Sequence, residues 1–153
     1  EKAIKLEKDA LAQIENITAD NARLVSNLHA NLGGLYRMNG HPDLAREHME
    51  KSISLLDQFN LLHINDSIPQ IANYAMFLTE QQEPERGISE LQKLSGIIKE
   101  YHSDHCLDYA KVQETLGTIY LMTANLPQAK THFKRAFKIY EKIWADEPEM
   151  IEA

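Results

Sequence analysis

Apolar residues recur along this chain at spacings of three and four, the period of one helical face. No stretch alternates apolar and polar residues in the way a half-buried strand does. The pattern predicts seven helices, over about 2–16, 22–38, 42–59, 66–81, 84–101, 106–123 and 127–145, and so an all-α fold. Asn39-Gly40-His41-Pro42, Gln82-Glu83-Pro84 and Asn125-Leu126-Pro127 each close one helix and open the next. Proline suits a first helical turn, where its missing N–H is not needed. Glycine or asparagine just past a helix end tolerates the left-handed conformation. A second boundary falls at Asp20-Asn21, Leu62-His63, Asp104-His105 and Asp146-Glu147, where the aspartates read as helix N-caps.

The pattern also repeats. Leu32-Gly33-Gly34-Leu35-Tyr36 returns 84 residues later as Leu116-Gly117-Thr118-Ile119-Tyr120, and Tyr74-Ala75-Met76-Phe77-Leu78 stands midway. The period is therefore 42. Small Ala45, Gly87 and Ala129 keep the same register, followed four residues on by the large Met49, Leu91 and Phe133. Leu94 and Ala136 come next, with Ser52 at the matching position of the first copy. A fixed period of this size indicates stacked supersecondary units. The chain 1–153 reads as one array cut from a longer protein: 1–16 the second helix of a truncated repeat, 20–60, 62–102 and 104–145 three full repeats, and 146–153 the start of another. Ala3 and Ala10 support the first assignment, being spaced like Ala129 and Ala136. Glu7 then stands in the large apolar slot unless Leu6 takes it over.

Composition narrows the function. Hydrophobic residues make up 43% of 153, enough for a core. The net charge of −7 argues against nucleic acid, which requires a basic stripe. A single cysteine, Cys106, allows no intrachain disulfide and fits a reducing, cytoplasmic setting. No apolar run is long enough for a membrane span. His102, His105 and Cys106 are metal-ligand types but lack a fourth partner, so they read as a surface loop and no metal or cofactor is expected. His41 and His63 read as loop residues between repeats. No phosphate-cradling glycine loop, nucleophile elbow or paired-histidine helix occurs, so an enzyme is the least favoured class.

The third repeat resembles the tetratricopeptide repeat. Leu116, Gly117, Tyr120, Ala129, Phe133 and Ala136 stand where that family has Leu-Gly-x-x-Tyr followed by Ala, a large aromatic residue and Ala. The first repeat keeps Leu32, Gly33, Tyr36 and Ala45, and the second keeps mainly volume. His29, Ile71 and Gln113 replace the family's early tryptophan, and Asp57, Lys99 and Glu141 its closing proline. The usual period is about 34, and the longer 42 resembles the kinesin light chain and nephrocystin type. Ser103-Asp104-His105-Cys106 and Ala145-Asp146-Glu147-Pro148 resemble the Asp-His-Pro connection of that type. The resemblance implies a right-handed α-solenoid of antiparallel helix pairs. It further implies a protein or peptide ligand in a concave groove lined by the first helix of each pair.

On that implied stripe lie Asn27, Ala30, Asn31, Gly34, Arg37 and Met38 in the first repeat. The second offers Pro69, Ala72, Asn73, Met76, Thr79 and Glu80, and the third Lys111, Glu114, Thr115, Thr118, Leu121 and Met122. Asn31 and Asn73 share one slot, and an amide there offers both donor and acceptor to a peptide backbone. Met38, Met76 and Met122 adapt to varied apolar partners. Arg37 and Lys111 suit a carboxylate or phosphate. The expected peptide contacts are Asn27, Asn31, Arg37, Met38, Asn73, Met76, Lys111, Glu114, Thr118 and Met122. In the chaperone-binding branch of the family, the clamp's lysine and asparagine positions correspond to Ala30 and Gly34 here, which disfavours a chaperone tail. Two alternatives accompany the binding reading. One is a sensor or spacer module of a larger, bacterial-type regulator. The other is end-to-end self-association through Tyr140, Ile143 and Trp144.

Overall fold

The computed structural model describes residues 1–146. Among them are seven helices: α1 Lys2–Ala12, α2 Ala22–Met38, α3 Pro42–Gln58, α4 Ser67–Glu80, α5 Pro84–Tyr101, α6 Leu107–Met122 and α7 Leu126–Asp146. The expected further repeat at 146–153 lies outside the described residues, except for Asp146 at the end of α7. The chain forms two compact units, Glu1 to Phe77 and Leu78 onward, divided within α4.

The N-terminal unit holds α1, α2, α3 and most of α4. Its core joins Val25, Leu32 and Tyr36 of α2 to Ala45, Met49, Leu55 and Leu56 of α3 and Ile71, Tyr74 and Phe77 of α4, all at most 6% exposed. The α2–α3 pairing is close because Gly33 has no side chain. A Cβ there would lie 2.6 Å from Met49 Cγ and 3.2 Å from the Ala45 carbonyl oxygen. The C-terminal unit repeats the device in α6 and α7: a Cβ on Gly117 would lie 2.9 Å from the Phe133 ring. Its core holds Leu91, Leu94 and Ile98 of α5, Val112, Leu116 and Ile119 of α6, and Ala129, Ala136 and Ile139 of α7.

Helix ends follow the expected map with three corrections. Helix α1 stops at Ala12, not near 16. Beyond it Asn21 organises the loop that leads to α2, accepting from the Thr18 N–H at 2.8 Å and donating to the Asn16 carbonyl at 2.8 Å. Neither Asp20 nor Asp104 caps a helix. The N-cap of α2 is Asn21, and that of α6 is Cys106, whose sulfur accepts from the Tyr109 N–H at 3.4 Å. Asp104 instead pairs with His105 at 2.5 Å. In α1, Leu6 is 61% exposed and does not take over the slot of Glu7.

The third correction concerns the turns. Gly40, Gln82 and Ala124 are left-handed, with φ of 74°, 65° and 59°, and stand 42 residues apart. Each closes a helix in the same way. His41, Glu83 and Asn125 donate backbone N–H groups to the carbonyls of Tyr36, Leu78 and Tyr120, five residues back. The left-handed residue is thus Ala124 and not Asn125. Only the first of the three turns carries the glycine this geometry favours, since a Cβ in that conformation costs about 1 kcal/mol or more. Ala124→Gly is therefore expected to raise stability by about 1 kcal/mol, and Gly40→Ala to lower it similarly. Urea denaturation midpoints check this, and a lowered midpoint for Ala124→Gly contradicts it.

Candidate functional site

The N-terminal unit presents two neighbouring clefts between α2 and α4. The first, about 170 Å³, has walls of Ala30, Gly34, Arg37 and Met38 from α2 and Asn73 from α4, over a floor of Met49, Ser52 and Gln70. The second, about 370 Å³, shares Ala30, Gln70 and Asn73 and adds Asn27, Asn31, Asp66 and Pro69. The helical period explains the convergence, because Asn27, Ala30, Asn31 and Gly34 occupy one face of α2 at spacings of three and four. Small residues keep that face open: nothing lies within 4 Å of where a Gly34 Cβ would be. Met38 is 84% exposed at the cleft edge. The structure thus gathers five of the expected contacts, Asn27, Asn31, Arg37, Met38 and Asn73. Met76 is half-buried on α4 and lines neither cleft.

A polar relay ties the clefts to the core. Arg23 Nε bonds Asp66 Oδ2 at 2.6 Å, and Asn27 Nδ2 donates to the same oxygen at 3.4 Å. Gln70 Nε2 donates to Asn27 Oδ1 at 2.5 Å. Gln70 Oε1 accepts from the buried Ser26 hydroxyl at 2.8 Å and from the buried Ser52 hydroxyl. The hydrogen bond from Arg23 holds the Asp66 carboxyl below its usual range; burial opposes this and Asn27 adds to it. Asn27 is therefore engaged at both ends of its amide and acts as a wall. Asn31 Nδ2 donates to Glu7 Oε1 of α1 at 3.1 Å, while Glu7 Oε2 is buried without a hydrogen-bond partner. The Asn73 side chain is exposed and makes no hydrogen bond to another described residue.

In the C-terminal unit, Lys111, Glu114, Thr118 and Met122 lie along α6. Glu114 Oε2 accepts from the Tyr140 hydroxyl at 2.8 Å. Burial, then this carboxylate, push that phenol up to about 12. Thr118 Oγ1 donates to the Glu114 carbonyl at 3.0 Å, and Lys111 Nζ lies 3.7 Å from Asp108. Met122 is half exposed. The polar members of this stripe are thus tied within their own unit. Tyr140 also stacks on Trp144, which is 56% exposed. Among the described residues, no three His, Cys, Asp or Glu side chains cluster as a metal site needs, and no helix is long and apolar enough to cross a membrane.

Two residues absent from the sequence reading prove structurally central. His48 stacks on Tyr36, centroids 5.4 Å apart, and its Nδ1 lies 2.8 Å from Nδ1 of His29. His132, 84 residues later, stacks on Tyr120 at 5.3 Å, and its Nδ1 lies 2.9 Å from Gln113 Oε1. A carbonyl oxygen only accepts, so His132 carries its proton on Nδ1. In the first repeat His29 replaces that carbonyl, and one of the two facing nitrogens must be unprotonated. The shared 84-residue spacing of tyrosine and histidine was the available signal.

The repeated helix pairs, the glycine contacts and the period-42 turns now stand together. Residues 67–142 match the family model of the tetratricopeptide repeat. Tetratricopeptide repeats are protein–protein interaction modules, generally without enzymatic activity of their own. The crystal structure of BtubC (BKLC) from P. vanneervenii is similar, with a TM-score of 0.78 and 21% identity over 92% of this chain. That likeness places the chain in the all-α helical solenoid class. The chain spans 56% of that protein's length. No curated protein matches the sequence significantly.

The histidine pair predicts an acid-sensitive N-terminal unit. Burial first, then His48 and Lys51, with Glu47 opposing, lower His29 to about 4 from an ordinary 6.5. Burial and Lys8 lower His48, again against Glu47. As pH falls below 6.5 the unfolded histidines take up protons that the folded pair refuses. Stability is therefore full above about pH 7 and declines as pH drops towards 4. His29→Gln, which copies Gln113, is expected to flatten the fall in Tm between about pH 7 and 5. An unchanged slope contradicts this assignment.

Proposed function

We propose that the N-terminal unit binds an extended peptide segment of a protein partner in the α2–α4 clefts. The observation that carries this is Asn73, an exposed amide with no internal hydrogen bond, facing the open surface left by Ala30 and Gly34. An extended backbone presents alternating donors and acceptors, which a carboxamide meets with one of each. Asn31 stands one period earlier on the facing α2 wall, exchanging Glu7 for the ligand. Met38 and the stem of Arg37 supply adaptable apolar contact at the edge. The relay through Asp66, Asn27 and Gln70 fixes the walls before binding, which lowers the ordering cost of association.

We further propose that the repeats at 20–60, 62–102 and 104–145 are of the long, kinesin light chain or nephrocystin type. The period-42 recurrence of the left-handed turns supports this. Lys111, Glu114, Thr118, Met76 and Met122 extend the contact set as secondary members.

Display selection with random peptides on the whole chain supplies ligands for the test. Asn31→Ala with Asn73→Ala is expected to weaken selected peptides by about thirtyfold, at roughly 1 kcal/mol for one lost hydrogen bond per residue. Selected peptides that bind the double variant as tightly as the parent, with helicity equal, contradict the proposal.

A further inference from the structure

The C-terminal unit contains a cleft of its own, of about 450 Å³, that the proposed function does not use. Lys99 at the end of α5 and Arg135, Lys138 and Lys142 along α7 surround it, over a floor of Tyr109 and Ile139. We propose that this cleft docks a short acidic peptide in extended form.

Four cations line one cleft in a chain whose net charge is −7, so composition does not explain the cluster. Lys99, Lys138 and Lys142 form no ion pair with a described carboxylate. The one acid at the rim, Asp104, is occupied by His105. Two of the cations are pre-positioned: Lys99 Nζ sits 5.1 Å from the centroid of the Tyr109 ring, and Arg135 Nη1 donates to Gln113 Oε1 at 3.3 Å. Arg135, Lys138 and Lys142 follow spacings of three and four, so they share one face of α7 over about 10 Å of its length. A single phosphate meets one point of such a stripe. An extended peptide puts same-side carboxylates about 6.5–7 Å apart and so meets successive cations. Its intervening apolar side chains suit the Tyr109 and Ile139 floor. Nucleic acid, a far denser polyanion, is repelled more strongly by the chain's overall charge.

Fluorescence anisotropy of the whole chain with a labelled peptide of alternating Glu and Val tests this. The expected results are saturable binding, loss of binding when Gln replaces Glu in the peptide, and weakening as salt rises from about 0.05 to 0.3 M. Lys138→Gln with Lys142→Gln is expected to weaken binding at least about fivefold. Lys2→Gln with Lys5→Gln, the same change in net charge on α1, should leave it unaltered. The proposal is overturned by any of four results: no binding of the acidic peptide, equal affinity for the cleft variant, an equal loss from the α1 variant, or tighter binding of a singly phosphorylated peptide or a DNA oligonucleotide.

Discussion

Two helices pair as closely as α2 and α3 do only where one of them lacks a side chain at the crossing. Gly33 supplies that gap for Met49, and Gly117 supplies it for Phe133. Much else depends on this contact. It brings Tyr36 and Tyr120 within stacking distance of His48 and His132. It also sets Ser26 of α2 against Ser52 of α3, 3.1 Å apart, where both meet Gln70. Glycine brings no side chain to the crossing, and its helical cost, about 1 kcal/mol relative to alanine, is offset by the packing it permits.

The clefts follow from the same geometry. With the Gly33 face turned to α3, the next residue, Gly34, is turned away from it into open space. Asn27, Ala30 and Asn31 share that outward face, and α4 brings Asn73 opposite. The polar relay then resists collapse of the walls, because burying Ser26, Ser52 and Gln70 is tolerable only while each keeps its partners. Cleft wall and stable core are thus neighbouring faces of one helix.

The fold was legible because a 42-residue echo survives in the residues that pack: Leu32, Gly33 and Tyr36 against Leu116, Gly117 and Tyr120. The faces of the helices followed from spacing alone. What spacing did not disclose was which polar side chains the protein uses internally. Asn27 and Asn31 look alike in sequence, yet Asn27 is held by Gln70 and Asp66 while Asn31 reaches Glu7. Glu114 lies on the expected stripe but is held by Tyr140, a contact between residues 26 apart. Ser52 broke the pattern of small apolar residues, and its reason, the Gln70 carbonyl, lies on another helix. Helix caps failed similarly, since Asp104 found His105 before it found a backbone N–H.

The dependence on the glycine contact is open to direct test by a double-mutant cycle between Gly33→Ala and Met49→Ala, followed by urea unfolding. The added methyl of Gly33→Ala meets Met49 Cγ at 2.6 Å in the native packing. Removing the Met49 side chain therefore relieves most of the clash. Gly33→Ala is predicted to cost at least about 1 kcal/mol less in the Met49→Ala background than in the parent. Additivity within about 0.5 kcal/mol would show that the two residues do not set the pairing distance, and would contradict the account.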